Sequence, residues 1–247
     1  MPNLSVWIAA AIGAAVSQPL LRVARGIVSR LEAQWREDLR LTLQEVGSPV
    51  PVPIANISGH DHRFVPQRAN VVAALACTVG YAVCVWRFGV SIPLALALLN
   101  ISTLFVLSAT DAESLLLPDV LTIPLMWVGL LANVKGQFAS TSSAIIGACA
   151  GYTSMWLLRR MSMILTSRER VGLGDAKLVA AAGAWLGWDA LPEVALIALL
   201  SYLVYETWRK IWGKPASPLR PLGPHIALGF AYALCAGPHL LPIRFPL

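Results

Sequence analysis

The feature that most constrains this chain is a series of eight apolar segments, most of them nearly as long as a lipid bilayer is thick. An isolated strand cannot satisfy its backbone hydrogen bonds in lipid, so each segment is expected to be a helix. Charged residues make up 13% of the chain, about half the share of a soluble domain. We therefore predict an all-α polytopic membrane protein with about eight transmembrane helices. The segments cover about residues 3–21, 70–86, 90–109, 120–134, 143–158, 176–188, 192–208 and 222–242.

The basic residues are distributed unevenly between the loops. With eight crossings, sixteen of the nineteen Lys and Arg fall on one side of the membrane, and only Arg87, Lys135 and Arg244 fall on the other. Basic loops stay in the cytoplasm, so both termini are predicted to lie outside. The net charge of +6 then reflects topology and contact with anionic lipid, and nucleic acid is not an expected partner. The loops predicted to be cytoplasmic are 22–69, 109–119, 159–175 and 209–221.

Three regions are predicted along the chain. Residues 1–21 form a first transmembrane helix that is not cleaved, because no basic side chain precedes its apolar run. Residues 22–69 form a cytoplasmic loop, and helical spacing of apolar residues in its first half predicts an amphipathic helix at the membrane interface. Residues 70–242 form the main membrane domain.

The cysteines and histidines do not predict a metal site. All four cysteines lie inside apolar segments and are expected to be small buried side chains without a disulfide framework. The triplet His60, Asp61 and His62 lies in a Pro-rich part of the loop, where such side chains are expected to be solvated. The cysteines are Cys77, Cys84, Cys149 and Cys235.

Two carboxylates lie at the edges of apolar segments. Asp111 follows the third segment in "TDAESLLLPDVLTIP", and Asp175 precedes the sixth in "VGLGDAKL". Two crossings separate them, so both are predicted to emerge on the cytoplasmic face. Two carboxyls at close range can share a proton and activate a water, as in aspartic proteases. Taken alone, each also fits a structural role: Asp175 that of an N-cap, since an Asp before a helix is a common cap, and Asp111 that of an ordinary interfacial acid.

Neighbouring residues have structural explanations as well as functional ones. Gly172 and Gly174 are expected to leave room for an extended substrate backbone and to permit an unusual turn. Lys177 is expected to reach towards lipid headgroups, and Asp119 in "LPD" to act as the N-cap of the fourth segment.

The remaining acids near the membrane are expected to be structural. Asp189 and Glu193 lie in a tight turn and are expected to cap helices. Glu206 is spaced to form an ion pair with Arg209 or Lys210.

Three stretches resemble the bacterial type IV prepilin peptidases over about residues 65–235. They are "DAESLLLPDVLTIPLMWVGLL" from Asp111, "GLGDAKLVAAAGAWLGW" from Gly172 and "PLGPHIALG" from Pro221. Members of this family are membrane aspartic endopeptidases with a GxGD motif. The resemblance implies that Asp111 and Asp175 are the catalytic pair. It also implies a set of substrate-binding or supporting residues, namely Gly172, Gly174, Lys177, Glu113, Pro118 and Asp119.

The resemblance further implies a substrate and a location. The substrate is a type IV prepilin or pseudopilin, cut after a glycine behind a short basic leader, at the cytoplasmic face of the bacterial inner membrane. No cofactor is implied for the peptidase. Many members also methylate the new N-terminus with S-adenosylmethionine and carry two zinc-binding Cys-x-x-Cys pairs in the first loop. Loop 22–69 has no cysteine, so zinc is not expected and methylation stays open.

Two other functions compete with peptidase activity. A proton-coupled transporter would place its carboxylates near the middle of the membrane and show repeated halves. A non-catalytic assembly factor of a pilus or secretion machine would keep the fold without needing both aspartates. The oligomeric state is not determined by the sequence.

Overall fold

The structure, a computed structural model, describes residues 4–45, 67–166, 172–213 and 221–237. Within these ranges all eight apolar segments are confirmed as helices, and no strand occurs. One turn of 3-10 helix, Trp188–Ala190, joins α6 to α7. The helices are α1 (Leu4–Glu45), α2 (Gln67–Phe88), α3 (Ile92–Ser114), α4 (Asp119–Val134), α5 (Thr141–Thr166), α6 (Leu173–Leu186), α7 (Leu191–Ile211) and α8 (Gly223–Ala236).

Several of these helices have the length and apolar character of membrane spans. Leu4–Thr42, Ile92–Ser114 and Trp188–Ile211 are long and apolar enough to cross a bilayer. Ala74–Phe88 and Gly223–Ala236 are shorter apolar helices, as is α4. The protein is therefore an all-α polytopic membrane protein, and the total of eight crossings stays a prediction.

Helix α1 is longer than the first apolar segment. It runs without a break from Leu4 to Glu45, so the boundary predicted at residue 21 falls inside one helix. Its first half packs against α2 and α3. In its second half, Trp35 and Leu41 of the predicted apolar face are exposed. The division into domains stays a prediction, and the triplet His60–His62 lies outside the described residues.

The best-buried helix is α6, which is rich in alanine and packs between α5 and α4. Gly147 of α5 and Gly183 of α6 bring the two backbones into contact, because a Cβ on Gly183 would overlap the carbonyl group of Gly147. Small residues allow membrane helices to approach this closely. On the other side, the buried Trp185 donates its indole N–H to the carbonyl oxygen of Leu125 in α4 at 2.7 Å.

Asn133 fixes the C-terminal end of α6. Its buried amide donates to the carbonyl oxygens of Ala184 at 2.9 Å and Trp185 at 2.8 Å. Its Oδ1 accepts the backbone N–H groups of Phe138 and Ala139, both at 3.0 Å. This amide secures one end of α6, and Asp175 lies at the other end.

The cysteines are less uniform than expected. Cys77 and Cys84 are buried, as predicted. Cys235 is only partly buried, and Cys149 is exposed on α5. Position in an apolar segment does not distinguish the core face of a membrane helix from its lipid face, so the sequence could not separate these cases.

Two of the three structural acids differ from expectation. Ala190 is the N-cap of α7, whereas Asp189 lies in the 3-10 turn and Glu193 is buried in the first turn of the helix. The ion pair of Glu206 with Arg209 is confirmed at 3.9 Å.

Candidate active site

The carboxyl of Asp111 is held by the start of another helix. Asp111 lies near the end of α3 and is only 4% exposed. Its Oδ2 accepts a hydrogen bond of 2.7 Å from the backbone N–H of Gly223, the first residue of α8. The first N–H groups of a helix have no partner inside the helix and carry partial positive charge. The N-terminus of α8 is therefore a binding site for this carboxyl.

Gly223 is a site residue that the sequence interpretation missed. A Cβ at this position would come within 2.8 Å of Oδ2 of Asp111, so glycine is what permits the contact. The available signal was "GPH" at the start of an apolar segment, since Pro favours the first turn of a helix. That signal locates a helix start but does not identify an acceptor 112 residues away.

Asp175 is placed at the N-terminus of α6. It is the third residue of that helix and is 7% exposed. Its Oδ2 accepts a hydrogen bond of 3.0 Å from the backbone N–H of Gly172. Gly172 is the N-cap residue, so the alternative in which Asp175 is itself the N-cap is wrong. Asp175 instead supplies the carboxylate that returns to the N-cap backbone in a capping box.

The two carboxyls lie at the same end of the bundle and are close enough to interact electrostatically. In the chain, α4 and α5 lie between the two acids: α4 leads away from this end of the bundle and α5 returns to it. Each carboxyl is buried and is held through Oδ2 by a helix N-terminus. Such a pair, with one proton shared between the two acids, has the chemistry needed to activate a water molecule.

The two motif glycines have other roles than those expected. A Cβ on Gly174 would come within 2.7 Å of the Cβ of Leu117, so Gly174 lets α6 pack against the turn before α4. The backbone of Gly172 has φ −74° and ψ 152°, an extended conformation open to any residue. The unusual turn expected at these glycines is not found, since Gly172 is extended and Gly174 lies in α6, whereas their role in leaving room for a substrate backbone stays a prediction.

An ion pair joins the two motifs. The ammonium of Lys177 in α6 lies 2.6 Å from Oδ2 of Asp119, the first residue of α4. Lys177 therefore pairs with Asp119 and does not extend towards headgroups. Pro118, and not Asp119, is the N-cap of α4. Both charged side chains are partly exposed, so the pair aligns two helix starts and contributes at most about 1 kcal/mol to stability.

Glu113 connects the site to α1. Its Oε1 lies 3.8 Å from Nε of Arg25, one turn or so beyond the apolar run of α1. The sequence did not predict this contact, because the two residues lie in different regions of the chain. It places the middle of α1 at the same end of the bundle as Asp111.

The described ranges do not contain a group of three or more His, Cys, Asp or Glu that could hold a metal ion. The His60–His62 triplet is outside those ranges, so the absence of a metal site stays a prediction.

Comparison with known proteins places these residues in a family. The model of the type IV leader peptidase family matches residues 98–206, a range that contains both Asp111 and Asp175. A prepilin leader peptidase/N-methyltransferase of Dickeya chrysanthemi is 37% identical over 238 residues, covering 83% of each chain. The protein of the same name from Pectobacterium carotovorum is 45% identical over 139 residues, 56% of this chain and 50% of that one.

The extent of the match differs between relatives. A Burkholderia pseudomallei protein of the same name is 45% identical over 139 residues, which are 55% of this chain and 44% of that one. The chain thus spans about half the length of the Pectobacterium and Burkholderia relatives it matches. No solved structure matches the chain. The similarity to the Dickeya protein covers most of both molecules, and the family model matches the region of both aspartates. The chain therefore belongs to the type IV leader peptidase family.

Proposed function

We propose that this protein is a membrane aspartic endopeptidase that removes the basic leader of type IV prepilins or pseudopilins. The observation that carries the proposal is the pair Asp111 and Asp175, buried at one end of the bundle and close enough to interact. Membership of a leader peptidase family supports the reaction class. The names of the relatives support the substrate class.

The proposed reaction uses the two carboxyls as one unit. The ionised acid takes a proton from a water molecule, and the water oxygen attacks the carbonyl carbon of the scissile peptide bond. The protonated acid stabilises the developing oxyanion and then gives its proton to the leaving amide nitrogen. Gly223 and Gly172 each bind an Oδ2, so Oδ1 of each acid is assigned to the water and the substrate.

The proposed substrate approaches from within the bilayer. Three apolar side chains next to the site motifs are exposed, namely Leu116, Val120 and Leu173. They offer a surface for the apolar helix that follows a leader. We place the site at the cytoplasmic face of the bacterial inner membrane, because the loops at this end carry most of the basic residues. Glu113 and Asp119 support the site through their ion pairs.

Methylation of the new N-terminus is the second candidate function, and the names of the relatives favour it. S-adenosylmethionine would supply the methyl group. A charged groove of α1 is lined by Ser29, Glu32, Arg36 and Arg40, all from one helix face. This groove is open and formed by a single helix, so by itself it does not enclose an adenosine group. No cofactor is proposed for the peptidase.

The competing functions predict other arrangements. A proton-coupled transporter would have its carboxyls near the middle of the membrane helices. Asp111 and Asp175 lie at helix ends instead. An assembly factor would share the fold, and only an assay separates it from an enzyme.

The test is co-expression with a candidate prepilin, followed by mass spectrometry of the pilin N-terminus. We expect loss of the leader with the native chain and none with Asp175→Asn at equal expression. Methylation adds a methyl group to the same product, so one spectrum reports both activities. An intact leader beside well-folded native protein, for every prepilin of the same genome, would contradict the proposal.

A further inference from the structure

Two thiols from distant parts of the chain face each other between α2 and α8. Sγ of Cys84 and Sγ of Cys235 are 3.7 Å apart, although the residues are separated by 151 positions. Cys84 is fully buried, whereas Cys235 is partly exposed. A disulfide requires about 2.0 Å between the sulfurs, so they must approach each other by about 1.7 Å. Small side-chain rotations at two neighbouring thiols supply a displacement of this size.

The thiol pair lies at the opposite end of the bundle from the carboxyl pair. Cys235 is next to the last residue of α8, and the first residue of that helix binds Asp111. Twelve residues of helix separate the two ends by about 18 Å. Cys84 lies one turn before the end of α2, where Trp86 and Arg87 are exposed. Exposed Trp and Arg at a helix end are typical of the boundary between membrane and water, so water-borne reagents reach this region.

We propose that Cys84 and Cys235 are a redox-active pair that closes a disulfide between α2 and α8. The oxidant is a disulfide, either of a protein or of a small molecule. The thiolate of the more accessible Cys235 attacks one sulfur of the oxidant and releases its other half as a thiol. The thiolate of Cys84 then attacks Sγ of Cys235 and releases the second thiol. Two protein thiols lose two electrons and two protons, and one oxidant disulfide gains them.

The disulfide would act on the helix that positions Asp111. Helix α8 is attached at its first residue to the catalytic carboxyl proposed above and at its far end to α2. Closing the bond converts the second attachment from a packing contact into a covalent link. This inference does not depend on peptidase activity, because its readout is the state of two sulfurs.

The test uses the full chain in detergent and 4,4′-dithiodipyridine as the disulfide oxidant. The reference variant, Cys77→Ser/Cys149→Ser, keeps only the proposed pair. The matched control, Cys84→Ser/Cys149→Ser, has the same number of thiols but retains Cys77, also buried on α2. Intact mass spectrometry distinguishes loss of two hydrogens, which indicates a disulfide, from gain of a thiopyridyl group.

We expect the reference variant to lose two hydrogens and the control to gain a thiopyridyl group at Cys235. A reference variant that carries thiopyridyl groups or unreacted thiols overturns the proposal. Native protein is treated in parallel and digested without reduction, so that a misfolded variant does not decide the result. A peptide linked through Cys84 and Cys235 supports the pair, and its absence from the oxidised native protein overturns it.

Discussion

Asp111 and Asp175 owe their positions to backbone N–H groups at the starts of α8 and α6. Backbone donors are held by the helix itself, so they position a carboxyl without the rotational freedom of a side chain. The partial positive charge of a helix start also favours the ionised form of a nearby acid. Both acids share this environment, but burial disfavours their ionised forms and repulsion from Asp111 adds to this at Asp175, which together favour one retained proton in the pair.

We predict that Asp111→Asn and Asp175→Asn each lower leader cleavage by about 100-fold or more, because general acid–base catalysis contributes at least that much. Asparagine keeps an oxygen that accepts the N–H of Gly223 or Gly172, so the protein should still insert and accumulate. Cleavage is measured as the rate of leader loss at matched enzyme levels. The double variant should be no slower than either single one, since the acids act together.

Asp119→Asn is the control for these two substitutions. It removes a charge from the same end of the bundle and weakens an exposed ion pair with Lys177, so most activity should remain. Near-native cleavage by Asp175→Asn would show that Asp175 serves only the capping interaction.

We predict that Gly223→Ala lowers cleavage about 10- to 100-fold while the protein remains folded. The added methyl would lie 2.8 Å from Oδ2 of Asp111, so the carboxyl must move away from the N–H that holds it. Displacements of about 1 Å at a reacting group have effects of this size. The rate of leader loss is again the measurement.

Gly26→Ala is the matched control for Gly223→Ala, because a Cβ at Gly26 meets no atom within 4 Å. It should leave the cleavage rate unchanged. Equal rates for the two alanine variants would mean that the contact between Gly223 and Asp111 does not position the carboxyl.

At the scale of helices, two buried asparagines illustrate opposite situations. Asn133 uses its whole amide to join α4, the following turn and the end of α6. Asn100 in the middle of α3 is equally buried, yet neither its Nδ2 nor its Oδ1 has a hydrogen-bond partner within the part of the chain that the structure describes. A buried polar group stabilises a fold only when it is paired.

We predict that Asn133→Leu lowers the free energy of unfolding by about 3 kcal/mol, because four backbone groups lose their partner. Asn100→Leu should change it by less than about 1 kcal/mol or raise it, since leucine has a similar volume and no polar atoms to satisfy. Thermal unfolding of the two purified variants in the same detergent measures the difference. A loss at Asn100 as large as that at Asn133 would reveal a partner for the Asn100 amide.

At the scale of the whole molecule, the Lys and Arg distribution predicts which side each loop faces. We expect Gly47→Cys and Lys135→Cys, placed separately in a chain without other cysteines, to label from opposite sides. An impermeant maleimide should reach Lys135→Cys in spheroplasts and Gly47→Cys only after the membrane is opened. Labelling of both positions from the same side would contradict the prediction, because the chain would then cross the membrane an even number of times between them.

Local patterns predicted the helices well and their contacts poorly. The fourth apolar segment, 120–134, matches α4 within one residue, because hydropathy is a property of neighbouring residues. A helix was also predicted in the first half of loop 22–69, but its unbroken continuation from the first apolar segment to Glu45 was not, since hydropathy does not show whether two neighbouring helices are joined. The bond from Gly223 to Asp111 joins residues far apart in sequence, and no local pattern encodes such a pairing.

The unbroken course of α1 has a mechanical consequence. Its 42 residues correspond to about 63 Å of helix, roughly twice the thickness of the hydrocarbon core, and the contact between Arg25 and Glu113 links it to the site about halfway along. The helical repeat therefore fixes the direction in which side chains beyond Arg25 point, relative to the site. One residue inserted near Ser29 would lengthen the helix by only about 1.5 Å but would rotate every later residue of α1 by about 100° around the helix axis.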